Sequence, residues 1–322
     1  MREIMSRVGY IVWGAVLLLA LCGSACGSSS NGRSGRKASQ HDKIRQYEFR
    51  LPEMPPMLRG ELARTYAREH LWDNFDFGDT LQLAYIDRKS VENAFEIYMT
   101  TFSSDEAEHY LPQFMRRTMT SKPMFEYFLD IAQKVLNGPN SLERDGEKYI
   151  SVLEVALASD MLDEYEKIPY AHDLHIASQN RVGHRANDFV YTTADGRSGQ
   201  ALALKADYTL IFISNPECAM CGDIKRQIEQ SPSIGQMVSA GRMKILVIYP
   251  DEDLSLWRKH LADYPTAWIN AYDKGCVIAR EQLYDLKAIP ALYLLDREKR
   301  VLAKDCTDVR YIEKLISDRE QL

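Results

Sequence analysis

Residues 208–226 read YTLIFISNPECAMCGDIKR. The opening YTLIFISN is a short apolar run with β-branched residues, the composition of a strand buried on both faces. Cys218 and Cys221 follow at once with two residues between them, and Ile224 and Ile228 then begin an amphipathic stretch. The first cysteine therefore stands where a buried strand ends and a helix begins. Unsatisfied backbone N–H groups and the positive end of the helix dipole favour Cys218 as a thiolate there. Cys221, one turn later, comes within reach of the first sulfur to close a short disulfide, and such a couple exchanges electrons with a substrate through a mixed disulfide. The same spacing also admits half of a metal site or two structural thiols.

Working outward, NDFVYTTADGRSGQALAL alternates around Asp195 and Gly196, a hairpin signal. After the cysteine pair come a helical piece ending near Gly241, the buried run MKILVIYP (243–250), LSLWRKHLADY, the mixed segment PTAWINAYDKGCVIAREQLYDLKA, a third apolar run IPALYLLD (289–296), the short strand RVLAK and a closing helix VRYIEKLI. Strands alternating with helices, then a terminal hairpin and helix, predict an α/β sandwich.

The order of hairpin, strand, Cys-x-x-Cys at a helix start, strand, helix, and Ile289-Pro290 opening a strand resembles the thioredoxin fold. The leading hairpin and the long insert between VIYP and IPALYLLD resemble the TlpA-like branch of exported thiol-disulfide oxidoreductases. The resemblance implies a cis bond at Pro290 lying against the cysteine pair, with Ile289 and Pro290 shaping the substrate groove and Asn215-Pro216 positioning the loop. It also implies protein thiols or disulfides as substrates and a periplasmic or membrane electron donor as the redox partner. This chain departs from the pattern in three places. Glu217 stands before the first cysteine where an aromatic residue is common, and its carboxylate opposes thiolate formation at Cys218. Phe212 occupies the position of a proton-shuttling buried acid, for which Asp223 is the nearest replacement. Ala291 follows the proline where Thr is common.

A metal site made of Cys218, Cys221, Cys276 and Cys306 needs two ligands delivered singly from distant segments, with no histidine cluster to help, so neither metal nor cofactor is expected. A peroxidase of the related peroxiredoxin group needs Thr or Ser three residues before its cysteine, and here that residue is Asn215. Cys276 and Cys306 read as small buried residues.

Residues 46–180 carry apolar residues at helical spacing: Leu58, Leu62 and Tyr66; Val91, Phe95, Tyr98 and Phe102; Met124, Phe128, Ile131 and Val135; Tyr149, Leu153 and Leu157. This half is predicted all-helical, with EHLWDNFDF (69–77) as core. It resembles a domain of unknown function that precedes redox modules in Gram-negative lipoproteins, and by itself carries no catalytic motif.

Residues 1–25 place Arg2 and Arg7 before an apolar run from Val8 to Leu21 and then small residues, the order of an export signal, and the run is shorter than the ~20 apolar residues of a membrane span. Gly23, Ser24 and Ala25 precede Cys26 in a pattern that resembles a lipoprotein signal, which implies an acylated Cys26 and a lipid anchor facing the periplasm at the cell or outer membrane. Residues 26–45 form a tether; 27–40, rich in Gly, Ser and basic residues, have an r.m.s. reach of roughly 20 Å. With 40 Lys and Arg against 46 Asp and Glu the net charge is -6, and no basic cluster offers a nucleic-acid footprint.

The whole reads as two domains in 322 residues, all-α over 46–180 and an α/β thioredoxin-like sandwich with an N-terminal β-hairpin and a central insert over 181–322. The expected function is an exported, membrane-tethered thiol-disulfide oxidoreductase. The alternative is a binding or scaffold lipoprotein whose thioredoxin-like domain is structural.

Overall fold

The computed structural model describes residues 46–321. The expected export signal of 1–25, Cys26 and the expected tether to 45 lie outside the described residues.

The N-terminal half is helical: α1 (Gly60–His70), α2 (Arg88–Met99), α3 (Ala107–Thr118), α4 (Lys122–Asn137), α5 (Gly146–Ala158) and α6 (Glu164–Ala177). Side-chain caps fix most of the starts, because an oxygen that accepts from the first free N–H groups replaces lost water. Asp87 accepts from the amides of Lys89 and Ser90 to open α2, Ser121 from Met124 to open α4, and Asp145 from Glu147 and Lys148 to open α5. At α6 Asp163 and Glu166 form a reciprocal capping box. The stripes Val91, Phe95, Tyr98, Phe102 and Met124, Phe128, Ile131, Val135 all point inward, and Trp72, Phe75 and Phe77 fill the centre as expected. Trp72 stacks on Phe49 with centroids 5.5 Å apart and meets Phe128 edge-on at 5.5 Å, a geometry that adds to the area buried. Helix α1 differs from expectation: it buries no residue, and Leu62 is 69% exposed. It is held instead through Arg68, whose guanidinium lies 4.5 Å from the centre of the Tyr110 ring.

The C-terminal half is a seven-stranded mixed sheet in the order β2-β1-β5-β4-β3-β6-β7. Its strands are β1 (Val190–Thr193), β2 (Ser198–Gln200), β3 (Tyr208–Ile213), β4 (Met243–Tyr249), β5 (Ile269–Tyr272), β6 (Ala291–Leu295) and β7 (Val301–Cys306). β3, β4 and β5 run parallel, while β6 and β7 add antiparallel on one side and the β1-β2 hairpin on the other. Period-two alternation sends Leu210, Phe212, Ile245, Val247, Leu292 and Leu294 to one face, covered by α7 (Ala219–Gln230), α8 (Pro232–Ser239) and α11 (Val309–Glu320). Ile211, Ile213, Leu246, Ile248, Tyr293 and Leu295 go to the other, against Phe189, Ile278 and Tyr284. Ile278 belongs to α10 (Val277–Arg280), and α9 (Leu254–Lys259) follows β4. The mixed segment after α9 thus hides strand β5, only four residues long. Cys276 and Cys306 are partly rather than fully buried. Each half has its own apolar core, and charged and polar side chains join the two: Arg144 pairs with Asp285 and Asp305, and Arg181 makes a two-point contact with Glu147.

Candidate functional site

Strand β3 ends at Ile213, and residues 214–217 turn into α7 with Cys218 as its N-cap. The Asn215 side chain accepts from the Glu217 amide at 3.0 Å and donates to Asp251 at 2.8 Å, and the Cys218 amide donates to the Asn215 carbonyl at 3.1 Å. This tie fixes the turn to the segment that follows β4, which puts the first sulfur at the mouth of the helix.

Cys218 is partly buried, and its Sγ accepts the Cys221 N–H at 3.2 Å, a contact that stabilises negative charge on sulfur. On its other side the thiol meets the Ile289 carbonyl at 3.5 Å. The Ile289–Pro290 bond is cis, and Pro290, which is buried, leads directly into β6. Cys221, by contrast, is 2% exposed. Burial pushes its thiol up to about 12, and the neighbouring Cys218 raises it further, while the Asn215 amide and the Ser214 hydroxyl pull the other way. One sulfur is accessible and held by an amide; the other waits protonated in the core. That asymmetry suits an attacking and a resolving thiol.

The structure brings together Cys218, Cys221, Ile289, Pro290 and Asn215 at one end of the sheet. Pro216 lies in the turn and Glu217 is exposed at its tip. Asp223 is exposed and ion-pairs with Arg226, its neighbour one turn along the same helix. Two residues that the sequence reading passed over line the second sulfur's surroundings. Ser214, 1% exposed, lies 3.1 Å hydroxyl to hydroxyl from Tyr264, and Tyr264 packs on the core that holds Cys221. A polar residue closing an apolar strand was a signal for Ser214; Tyr264 is 50 residues distant and gave none.

A cleft of about 1160 Å³ opens beside the pair. Met220, Ile289 and Pro290 line it, together with Cys306, Tyr311 and, from the helical half, Leu142.

A thioredoxin-like protein of Bacteroides caccae is 41% identical to this chain, with the match covering 84% of this chain and 98% of that one at a TM-score of 0.77. The chain belongs to the thioredoxin-like proteins. Over residues 25–180 this thioredoxin-like protein also matches a family described as a domain of unknown function, DUF5106. The C-terminal domain of an uncharacterized protein from Bacteroides fragilis is 43% identical over 43% of this chain and 98% of that one, with a TM-score of 0.42. The thioredoxin domain of a thiol-disulfide oxidoreductase from Bacteroides vulgatus is 18% identical over 42% of this chain and 98% of that one, with a TM-score of 0.37. No curated protein matches the sequence.

Proposed function

We propose that this thioredoxin-like protein is a thiol-disulfide oxidoreductase acting through Cys218 and Cys221 on protein thiols or disulfides. The observation that carries the reading is the Cys218 sulfur at the N-cap of α7, receiving the Cys221 amide and facing the Ile289 carbonyl. In the reducing direction the Cys218 thiolate attacks a substrate disulfide, one substrate sulfur leaves as a thiolate, and a mixed disulfide remains. Cys221 then attacks Cys218 Sγ and expels the second substrate thiol, so two electrons pass to the substrate and the protein ends as the disulfide. A dithiol donor, periplasmic or membrane-bound, restores the reduced pair. Trapping tests the reading. Cys221→Ser accumulates mixed disulfides with protein substrates, and the further change Cys218→Ser abolishes them; no adducts in either variant would leave the scaffold reading in possession, with partner capture that survives loss of both thiols.

Export and lipid attachment at Cys26 belong to the same proposal and rest on the sequence of 1–26. Among the described residues no helix is long and apolar enough to cross a membrane. Mass spectrometry of the membrane fraction is expected to find an acylated Cys26 as the first residue, and an unmodified N-terminus there refutes it.

A further inference from the structure

The cleft beside the cysteine pair is lined from both halves of the chain, and much of its apolar lining faces water. Leu142, Val182, Met220 and Tyr311 are all exposed and all line it. They come from four places: the loop 138–145 between α4 and α5, the segment leading to β1, helix α7 and helix α11. Single exposed apolar side chains are ordinary, whereas several that share one concave surface mark a place where another molecule binds. Leu142 is 100% exposed, yet its loop is braced on both sides. The Ser141 N–H donates to the Gly138 carbonyl at 3.1 Å, the Glu143 N–H to the Ser141 hydroxyl at 3.2 Å and the Asp145 N–H to the Leu136 carbonyl at 3.0 Å. Arg144 ties the same loop to the other half through Asp285 and Asp305. The charges that line the cleft are mostly paired with one another. Asp285 takes Lys287 as well as Arg144, the Lys304 ammonium donates to the Ala177 carbonyl, Asp145 and Asp308 cap α5 and α11, and Glu147 holds Arg181. Asp105 and Arg319, both exposed, add one charge of each sign. An uncharged, apolar segment therefore complements this surface better than an acidic or a basic one. The cleft is also close to the reacting sulfur: Cys218 Sγ lies 3.5 Å from the Ile289 carbonyl, and Ile289 and Pro290 line the cleft. At about 3.5 Å per extended residue, a chain joined to Cys218 enters it within a few residues.

We propose that this cleft is the docking groove for the polypeptide on which Cys218 acts, and that it selects an uncharged segment with apolar side chains within a few residues of the reactive cysteine. Leu142 is the contact through which the helical half takes part in that selection. The proposal rests on the thiol-disulfide reading and adds to it a class of substrate and a task for the helical half. Leu142, Val182 and Tyr311 meet the flanking residues of the segment and not the reacting sulfurs. Their loss therefore lowers kcat/KM for a matching polypeptide and leaves the reaction of Cys218 with a small disulfide as it was.

The test uses the full reduced chain and two short peptides of zero net charge, each carrying its one cysteine as the mixed disulfide with thionitrobenzoate. One peptide has leucines on both sides of the cysteine, the other serines in their place, and 5,5′-dithiobis(2-nitrobenzoate) is the small-disulfide control. The Cys218 thiolate attacks the peptide sulfur, a bond forms between those two sulfurs, and the bond to thionitrobenzoate breaks with the electron pair leaving on it. Its release is followed by absorbance below saturating peptide, and the rate that remains in a Cys218→Ser chain is subtracted. The leucine peptide is expected to react on the order of ten-fold faster than the serine peptide, as for partial burial of one or two apolar side chains. Leu142→Ser and Tyr311→Ser, both at exposed positions, bring that ratio down several-fold, Leu142→Met keeps it, and all three variants react with the small disulfide at the wild-type rate. A wild-type ratio near one, a ratio that neither serine variant moves, or equal slowing toward all three reagents overturns the proposal. So does a dimer in sedimentation that Leu142→Ser dissociates, since the cleft then belongs to a second copy of the chain. A wild-type chain that releases no more thionitrobenzoate than the Cys218→Ser chain, from the small disulfide or from either peptide, overturns instead the thiol-disulfide reading beneath it.

Discussion

Cys218 and Cys221 sit three residues apart on one turn of helix yet in different solvents. Cys218 is reachable and receives an amide; Cys221 is in the core, with its thiol pushed up to about 12, first by burial. Below that value the thiol keeps its proton, so at neutral pH it presents almost no thiolate to a reagent. Iodoacetamide applied to the reduced, folded protein at pH 7 is therefore expected to label Cys218 and spare Cys221, read by peptide mapping, with Cys221 joining only on unfolding. Equal labelling of the two would show that the Cys221 sulfur is not enclosed. The pair was legible in the sequence because two cysteines on one helical turn need no long-range information to meet. The proline was legible for the same reason in reverse: Ile289-Pro290 opens an apolar run, and the resemblance implied the cis bond that the structure has. What surrounds Cys221 was not legible. Asp223, the nearest acid in sequence, turns outward to Arg226, and the groups near the sulfur come from a strand end and from a loop 50 residues away.

At the scale of elements, legibility followed length and chemistry. Helices α2, α4 and α5 announce themselves twice, by apolar stripes and by Asp or Ser at the N-cap, so local propensity and burial agree. Strands β3 and β4 are continuous apolar runs because both faces of the sheet are covered. Strand β5 is four residues of mixed character beside an incoming hairpin, too short for a period to show. Helix α1 misled for a different reason. Its apolar Leu62 faces solvent, while a charged residue, Arg68, makes the contact that holds it. A long side chain with an apolar stem and a planar cation packs on an aromatic ring as well as a leucine does, and a hydrophobic pattern cannot register it.

The joint between the halves was beyond the reach of sequence reading, because its members are spread across the chain: Arg144 after α4, Asp285 before β6 and Asp305 in β7. Asp305 is the member with a consequence for the whole molecule. It ion-pairs with Arg144, its other oxygen has no hydrogen-bond partner, and it adopts a left-handed φ of 49°. Burial raises its carboxyl from 3.8 to about 7, against the pull of Arg144 and with Asp285 adding repulsion. The folded chain thus binds a proton more tightly at this site than the unfolded chain does. Stability from this group is fully present below about pH 4 and is lost as the pH rises to about 7, with an upper limit of about 4 kcal/mol for a shift of that size. Asp305→Asn fixes the neutral form. Urea unfolding at pH 4, 5.5 and 7 is therefore expected to show a wild-type-minus-variant difference that moves steadily toward the variant as pH rises. A difference that stays constant over that range would place the charge of Asp305 outside the joint's energetics. Since the same side chain lines the cleft beside Ile289 and Pro290, the ionisation that loosens the joint would also change the charge of that cleft.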